Sequence, residues 1–162
     1  MLNLSVHKLA IFLVMLSVIT LGTAYYIEHI LMYKPCNLCL IERIPYWVTL
    51  ILSLIILTLK KFQRILISFI LVSFVLGVIV SFYHVGIEQG FFDESLVCLF
   101  NTNENLMNTE DLLASLQNNS VSCKNVDFRI FTFSLATINL FISLGVSVII
   151  TKILFNYEKN KY

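Results

Sequence analysis

Long apolar stretches separated by short polar segments run through almost the whole of this sequence. The stretches with few or no charged residues predict membrane-spanning helices at about residues 9–28, 41–59, 65–84 and 130–151. Each is close to the roughly 20 residues that a helix needs to cross about 30 Å of hydrocarbon. The second stretch carries Arg43 near its start, where a long basic side chain can extend to the membrane surface.

The connection between the second and third stretches, around residues 60–64, is short. Helices joined by so short a link lie antiparallel and adjacent. The pattern therefore predicts an all-α integral membrane protein whose single domain, residues 1–162, is an antiparallel four-helix transmembrane bundle. The first stretch also resembles a cleaved signal peptide, but its apolar run is longer than usual and continues into Tyr25 and Tyr26, which favours a retained span.

A polar segment at about residues 86–128 forms the one longer external loop of this scheme. Within it, Asn108 or Thr109 can cap a short amphipathic helix with leucines on one face. Residues 96–100 of the loop are apolar. Three interpretations stay open for them: insertion into the membrane surface, a docking surface, or packing onto the end of the bundle.

Composition agrees with a membrane protein, and the charges predict its orientation. Hydrophobic residues make up 58% of the chain and charged residues 13%, far from the usual values of a soluble domain. One side of the predicted bundle, with both termini, carries Lys8, Lys60, Lys61, Arg64, Lys152, Lys159 and Lys161. Because basic loops stay in the cytoplasm, both termini are expected there. The net charge of +1 hides this asymmetry, since seven acidic residues lie between residues 88 and 127 on the other side.

All four cysteines fall on that outer side: Cys36, Cys39, Cys98 and Cys123. Disulfides persist outside the cytoplasm, so these residues are candidates for redox chemistry or for structural bonds. Four cysteines allow three pairings, which a sequence cannot separate. Proximity along the chain favours Cys36 with Cys39, and Cys98 with Cys123.

The motif Cys36-Asn37-Leu38-Cys39 suits a disulfide that is made and broken repeatedly. If the second helix begins near Cys39, its first amide groups and Arg43 favour a Cys39 thiolate, which a redox centre uses and a structural bond does not. Arg43 taken alone is more typical of an interfacial anchor paired with Glu42, and only its combination with the CxxC and the helix start favours a redox role. A structural zinc site also uses this spacing, but the chain has no second CxxC or HxxxH, and no resident metal is expected.

His84 follows the third predicted span at about the depth of the CxxC. Oxidation of a dithiol releases two protons together with two electrons, and an acceptor held in lipid needs a polar contact. We therefore expect His84 near the redox centre. Glu28 and His29, at the outer end of the first span, are weaker candidates for the same layer, and the role of His29 stays open.

The chain resembles the disulfide bond formation protein B (DsbB) family of bacterial membrane oxidases. The resemblance is carried by Pro35-Cys36-Asn37-Leu38-Cys39-Leu40-Ile41-Glu42-Arg43, by His84, and by the later pair Cys98 and Cys123. It extends over essentially the whole chain, and a CxxC followed by two residues and Glu-Arg at the start of a second span is specific. The position after Leu40 is often aromatic in the family and is Ile41 here.

The resemblance implies a path for the electrons. Cys98 and Cys123 form the disulfide that is offered to a reduced DsbA-like periplasmic thiol oxidoreductase, with Cys98 taking the mixed disulfide. Cys123 then attacks Cys36 and releases Cys39 as the thiolate that faces a quinone, either ubiquinone or menaquinone. By the same resemblance all four cysteines are catalytic.

The resemblance also implies the residues around the quinone and the location of the protein. Arg43, His84, Glu42 and Cys39 are expected to bind the quinone, with Glu42 orienting Arg43. The partners are then the DsbA-like protein, the quinone pool and the lipid bilayer, with no nucleic acid among them. The expected location is the bacterial inner membrane, with the cysteines on the periplasmic side.

Two alternatives differ from this interpretation. Quinone-linked enzymes of the vitamin K epoxide reductase type also have four helices, a CxxC and a loop pair, but in them the loop pair precedes the CxxC, and here it follows. The second alternative is a membrane protein without enzymatic activity whose loop disulfides are structural.

Overall fold

The computed structural model describes residues 2–59, 62–93, 98, 123, 129–130 and 133–159. Its helices are α1 (Leu2–His29), α2 (Asn37–Ile41), α3 (Ile44–Thr58), α4 (Gln63–Glu88) and α5 (Leu135–Lys159). A two-residue antiparallel ladder, β1 (Arg129–Ile130) with β2 (Phe133–Ser134), precedes α5. Within this described part of the chain, four segments are long and apolar enough to cross a membrane: Val6–His29, Asn37–Thr58, Gln63–Glu88 and Leu135–Phe155. The prediction of an all-α membrane bundle is confirmed.

The second span differs from its prediction because it consists of two helices instead of one. Glu42 ends α2, and Arg43 is the N-cap of α3, with Pro45 in the first turn of α3. Proline is tolerated there because the first amides of a helix have no intrahelical acceptor. The break turns the two charged side chains toward different parts of the bundle.

The spanning helices pack in series, α1 on α3, α3 on α4, and α4 on α5. All four contribute to one apolar core, with Leu13 from α1, Ile56 from α3, Phe74 from α4 and Ile150 from α5 among its buried residues. Many large apolar side chains on the outer faces are exposed in the isolated chain. Such faces are expected where the surrounding solvent is lipid.

The third span continues to Glu88, so His84 lies inside α4 and the loop begins later than the predicted residue 86. The helix ends in a Schellman motif. Gly90 has φ 78°, its amide donates to the Ile87 carbonyl, and the Phe91 amide donates to the Gly86 carbonyl. Glycine suits this position because the left-handed conformation carries no Cβ penalty.

The fourth span also differs at its start, because the ladder of residues 129–130 and 133–134 comes first and the helix begins at Leu135 instead of residue 130. The predicted helix capped by Asn108 or Thr109 and the apolar segment 96–100, apart from Cys98, lie outside the described residues.

Candidate redox site

Cys36 and Cys39 occupy the first turn of α2, with Cys36 as the N-cap. The Cys39 amide donates to the Cys36 sulfur at 3.3 Å, and the two Sγ atoms lie 2.7 Å apart. Positions three apart in a helical turn face each other, so the pair can pass between dithiol and disulfide with little backbone movement. Both are free thiols here, with Cys36 buried and Cys39 half-buried.

The charge at this turn is stabilised on Cys36, which corrects the expectation that Cys39 is the favoured thiolate. The hydrogen bond from the Cys39 thiol lowers the pKa of Cys36 to about 5, and His84 acts in the same direction, while burial opposes both. The start of the helix makes a smaller contribution in the same direction. Because α2 begins at Asn37 and not near Cys39, the Cys39 amide donates to the sulfur of Cys36, the residue that caps the helix.

His84 approaches the cysteine pair from α4. Its Nε2 atom lies 3.6 Å from the Cys36 sulfur, and its Nδ1 donates to Glu42 Oε1 at 2.8 Å. A carboxylate only accepts, so Nδ1 carries a hydrogen and Nε2 is left to give or take a proton at the sulfur. The Oε1 atom of Glu88, one turn further along α4, lies 3.8 Å from Nε2.

A buried hydrogen-bond network fixes Glu42. Its Oε2 atom accepts from Asn139 Nδ2 at 2.9 Å, and the same amide group donates to Ser81 Oγ at 2.8 Å. The Tyr46 hydroxyl donates to Asn139 Oδ1. The network joins the α2–α3 junction to α4 and α5. A buried carboxylate in a membrane protein is stabilised when each of its oxygens accepts a hydrogen bond, as here.

Arg43 points away from Glu42, which corrects the expectation that Glu42 orients it. Its guanidinium donates to Glu28 Oε2 at 2.5 Å and lies 5.2 Å from the ring centre of Tyr25, both on α1. The helix break separates the two neighbours, because Glu42 enters the network with α4 and α5 while Arg43 turns to α1. Glu28 therefore takes the pairing role that the sequence suggested for Glu42.

The two loop cysteines are joined in a disulfide, Cys98 to Cys123, as their proximity along the chain predicted. Both are buried in one apolar cluster with Cys36, Leu38 and Ile87. Cys39 packs against the same cluster. The loop disulfide Cys98–Cys123 therefore lies beside the CxxC motif, which brings all four cysteines to one end of the bundle.

A cavity of about 370 Å³ lies next to the cysteines. Its long walls come from α1, through residues such as Ala24 and Ile27, and from the first turns of α5, through residues such as Ala136 and Ile142. The polar or reactive residues that line it are Thr20, Thr23, Glu28, Tyr33, Lys34, Cys36, Cys39, Glu42, Arg43, Tyr46, His84, Glu88, Cys123 and Asn139. An apolar space with a few convergent polar groups is typical of a small-molecule site.

The structure thus gathers nearly all of the candidate residues at one place. Cys98 lies in the cysteine cluster but does not line the cavity, and His29 is exposed, with its Nδ1 donating to the Tyr25 carbonyl of its own helix. Asn139 is a residue of this site that sequence reasoning missed. The available signal was an amide side chain inside an apolar span, where polar groups are costly.

Comparison with known proteins agrees with these features. Residues 7–153 match the family described as disulfide bond formation protein DsbB. The chain belongs to the DsbB family. It is also 28% identical over 151 residues to the uncharacterized protein RP370 of Rickettsia prowazekii (strain Madrid E), covering 92% of this chain and 88% of that protein. No solved structure matches the chain.

Membership in the DsbB family makes this chain a multi-pass membrane thiol oxidoreductase of disulfide bond formation. The family match favours this assignment over an enzyme of the vitamin K epoxide reductase type. It also agrees with the order of the motifs, since the CxxC precedes the loop pair.

Proposed function

We propose that this DsbB family member is a thiol:quinone oxidoreductase that reoxidises a DsbA-like periplasmic dithiol protein. The observation that carries the proposal is the packing of both cysteine pairs together beside an apolar cavity. Thiol exchange requires near-contact of sulfurs, and the clustering of Cys123 with Cys36 meets that need. The cavity supplies a place for an acceptor that is soluble in lipid.

The electrons enter at the loop disulfide. The thiolate of the reduced partner attacks Cys98, breaks the Cys98–Cys123 bond, and releases Cys123. A second partner thiolate then resolves the mixed disulfide, so that the partner leaves oxidised and the loop pair holds two electrons. Each exchange forms one S–S bond and breaks another, and no other oxidant is consumed.

The loop pair passes its electrons to the CxxC pair. Cys123 attacks Cys36 of the closed Cys36–Cys39 bond and releases Cys39 toward the cavity. When Cys98 closes the loop disulfide again, Cys36 leaves as a thiolate. The low pKa of Cys36, about 5, favours that departure because a less basic thiolate is the better leaving group.

Protons leave the site through His84. Its Nε2 atom is directed at the Cys36 sulfur, and Glu42 holds the ring in one orientation through Nδ1. An imidazole backed by a carboxylate takes a proton more readily, because the negative charge stabilises the imidazolium. Asn139 donates to this carboxylate and keeps it in place, so the hydrogen bonds together orient His84 toward the Cys36 sulfur.

The cavity fits a quinone, either ubiquinone or menaquinone, with its ring near Cys39, Arg43 and His84. Its apolar walls from α1 and α5 suit a ring and an isoprenoid chain, and the donors at one end suit carbonyl oxygens. A bound quinone accepts the two electrons and two protons of the dithiol. Arg43, held by Glu28 and Tyr25, stabilises negative charge beside Cys39.

We place the protein in the bacterial inner membrane with the cysteine end in the periplasm. Lys8, Arg64 and Lys152 belong to the opposite end of the bundle, near the starts of α1 and α4 and the last turns of α5. Basic residues accumulate on the cytoplasmic side. Both termini then lie in the cytoplasm.

Filling the cavity tests the assignment of the quinone site. Ala24→Phe adds a ring to the α1 wall, and we expect the KM for a short-chain quinone to rise at least tenfold. Oxidation of the loop pair by an added small disulfide should be unchanged in rate. The control is Val18→Phe, on the exposed face of α1, which should keep the parent KM. Equal KM values for Ala24→Phe and the parent protein would place the quinone elsewhere.

A further inference from the structure

The CxxC turn and α4 bring three metal-binding side chains together. The donor atoms of Cys36, Cys39 and His84 all lie within 4.8 Å of one another. His84 is 48 positions from Cys36 along the chain, so the spacing of cysteines alone does not reveal the set. Thiolate and imidazole are the ligands that Zn²⁺ and similar soft cations prefer.

The distances are close to those of a tetrahedral site. Bonds of about 2.3 Å to sulfur and about 2.0 Å to nitrogen place these two atoms about 3.5 Å apart. The Cys36 sulfur and His84 Nε2 lie 3.6 Å apart. Two sulfurs of such a site lie about 3.8 Å apart, so the Cys39 thiol must turn outward from its present 2.7 Å. Cys39 borders the cavity, which leaves room for that rotation.

Glu88 lies outside the set of donors within 4.8 Å of one another, so its side chain must turn toward the sulfurs to become a fourth ligand, whereas an outer shell is already in place. Glu88 Oε1 lies 3.8 Å from His84 Nε2, and its side chain is 6% exposed. Glu42 accepts from Nδ1 of His84, and Asn139 in turn donates to Glu42. Histidine ligands of zinc are oriented by just such a carboxylate on the other ring nitrogen.

We propose that the reduced Cys36–Cys39 pair binds a thiophilic divalent cation such as Zn²⁺, with His84 and Glu88, in competition with closure of the disulfide. Binding displaces any proton still held by the two sulfurs and moves no electrons. The disulfide form offers no thiolates, so only the reduced protein binds. Sulfurs held by a metal cannot pass their electrons on, so we expect such binding to stop turnover. This consequence rests on the proposed oxidase function.

Cobalt(II) serves as the probe because tetrahedral thiolate complexes absorb strongly in the visible range. We would titrate the full chain in detergent, with Cys98→Ser and Cys123→Ser so that Cys36 and Cys39 are its only thiols. After reduction and removal of reductant, we expect one Co²⁺ per chain, displaced by Zn²⁺. The oxidised protein should show no such band. Absence of the band in the reduced protein, or an equal band in the oxidised protein, would overturn the site.

Matched variants test the ligand set. His84→Gln and Glu88→Gln should each weaken Co²⁺ binding at least tenfold, whereas Glu28→Gln, a cavity carboxylate outside the set, should leave it unchanged. Equal affinity in all three variants would refute the assignment. If the double serine variant does not fold, the reduced wild-type chain is compared with Cys36→Ser, and equal cobalt spectra would again refute the site.

The activity of the same protein separates this inference from the proposed function. Zn²⁺ added to the reduced protein should block quinone reduction, and a chelator should restore it. A chain that binds Co²⁺ in the reduced form but reduces no quinone would support the site and contradict the oxidase. A chain that reduces quinone but binds no Co²⁺ would refute the site alone.

Discussion

At the residue scale, the reactivity of the CxxC turn depends on which sulfur lies before the helix. Cys36 caps α2, and its sulfur accepts a hydrogen bond from the Cys39 amide. The Nε2 atom of His84 contacts the same sulfur. The sequence indicated the cysteines and His84 but assigned the stabilised thiolate to Cys39. The largest cause of the lowered Cys36 pKa, the hydrogen bond that the Cys36 sulfur accepts from the Cys39 thiol, depends on how the turn places the two side chains, and the helix start at Asn37 adds the Cys39 amide to it.

Titration of the reduced CxxC pair tests the charge on Cys36. In the variant with Cys98→Ser and Cys123→Ser, ultraviolet thiolate absorbance should rise with a first midpoint at about pH 5, because the lowered pKa leaves Cys36 deprotonated above that pH. His84→Gln should move this midpoint upward. A first midpoint near the ordinary thiol value of about 8.5 in the parent variant would contradict the assigned role.

Asn139 is the residue whose role most needs the folded structure. Its partner Glu42 is 97 positions away, so a single apolar span gives no hint of the contact. Asn139→Leu leaves a buried carboxylate oxygen without its donor, which we expect to destabilise the fold by about 1–3 kcal/mol. It should also slow quinone reduction, since the orientation of His84 depends on Glu42.

The control for Asn139→Leu is Ser147→Ala on the same helix, because the Ser147 hydroxyl donates within α5, to the Ser143 carbonyl. Unfolding in detergent and quinone kinetics are measured for both variants. If Asn139→Leu behaves as Ser147→Ala does, the network is not needed for catalysis.

At the element scale, the second span shows what hydropathy can and cannot predict. The apolar run after Arg43 predicts a helix, and α3 occupies it. The break at Glu42 and Arg43 does not appear in that pattern, because two charged residues at a membrane surface suit a continuous helix equally well. The break becomes favourable only when Glu42 meets His84 and Asn139 and Arg43 meets Glu28.

Close packing of the helices around Gly77 provides a prediction at this scale. A Cβ at Gly77 of α4 would lie 3.2 Å from Pro45 Cγ of α3 and 3.7 Å from Ser143 Oγ of α5. Gly77→Leu should therefore overpack this contact and destabilise the bundle by about 1–3 kcal/mol.

The matched control is Gly145→Leu, since a Cβ at Gly145 meets nothing within 4 Å. Thermal unfolding in detergent should show a lower midpoint for Gly77→Leu than for Gly145→Leu. Equal midpoints would show that α4 can move away from α3 and α5 without loss of stability, and would contradict the prediction.

At the scale of the whole molecule, the fold class follows from the spacing of the apolar stretches, but the site does not. Four apolar spans predict a bundle, and the pairing of α3 with α4 follows from their short link. The cavity lies between α1 and α5, the first and last of these helices, and no local pattern specifies where the two lie relative to each other. The pair Arg43 and Glu28 lies in this gap and ties α1 to the redox turn.

The central claim is that electrons pass from the loop pair through the CxxC pair to quinone. The most direct measurement mixes the purified protein in lipid nanodiscs with a short-chain quinone and a reduced DsbA-like protein, and follows quinone absorbance and partner thiols together. We expect one quinone reduced for each partner disulfide formed, and no quinone reduction with Cys98→Ser or Cys39→Ser. If both cysteine pairs stay in the disulfide form and no quinone is reduced, the account is contradicted.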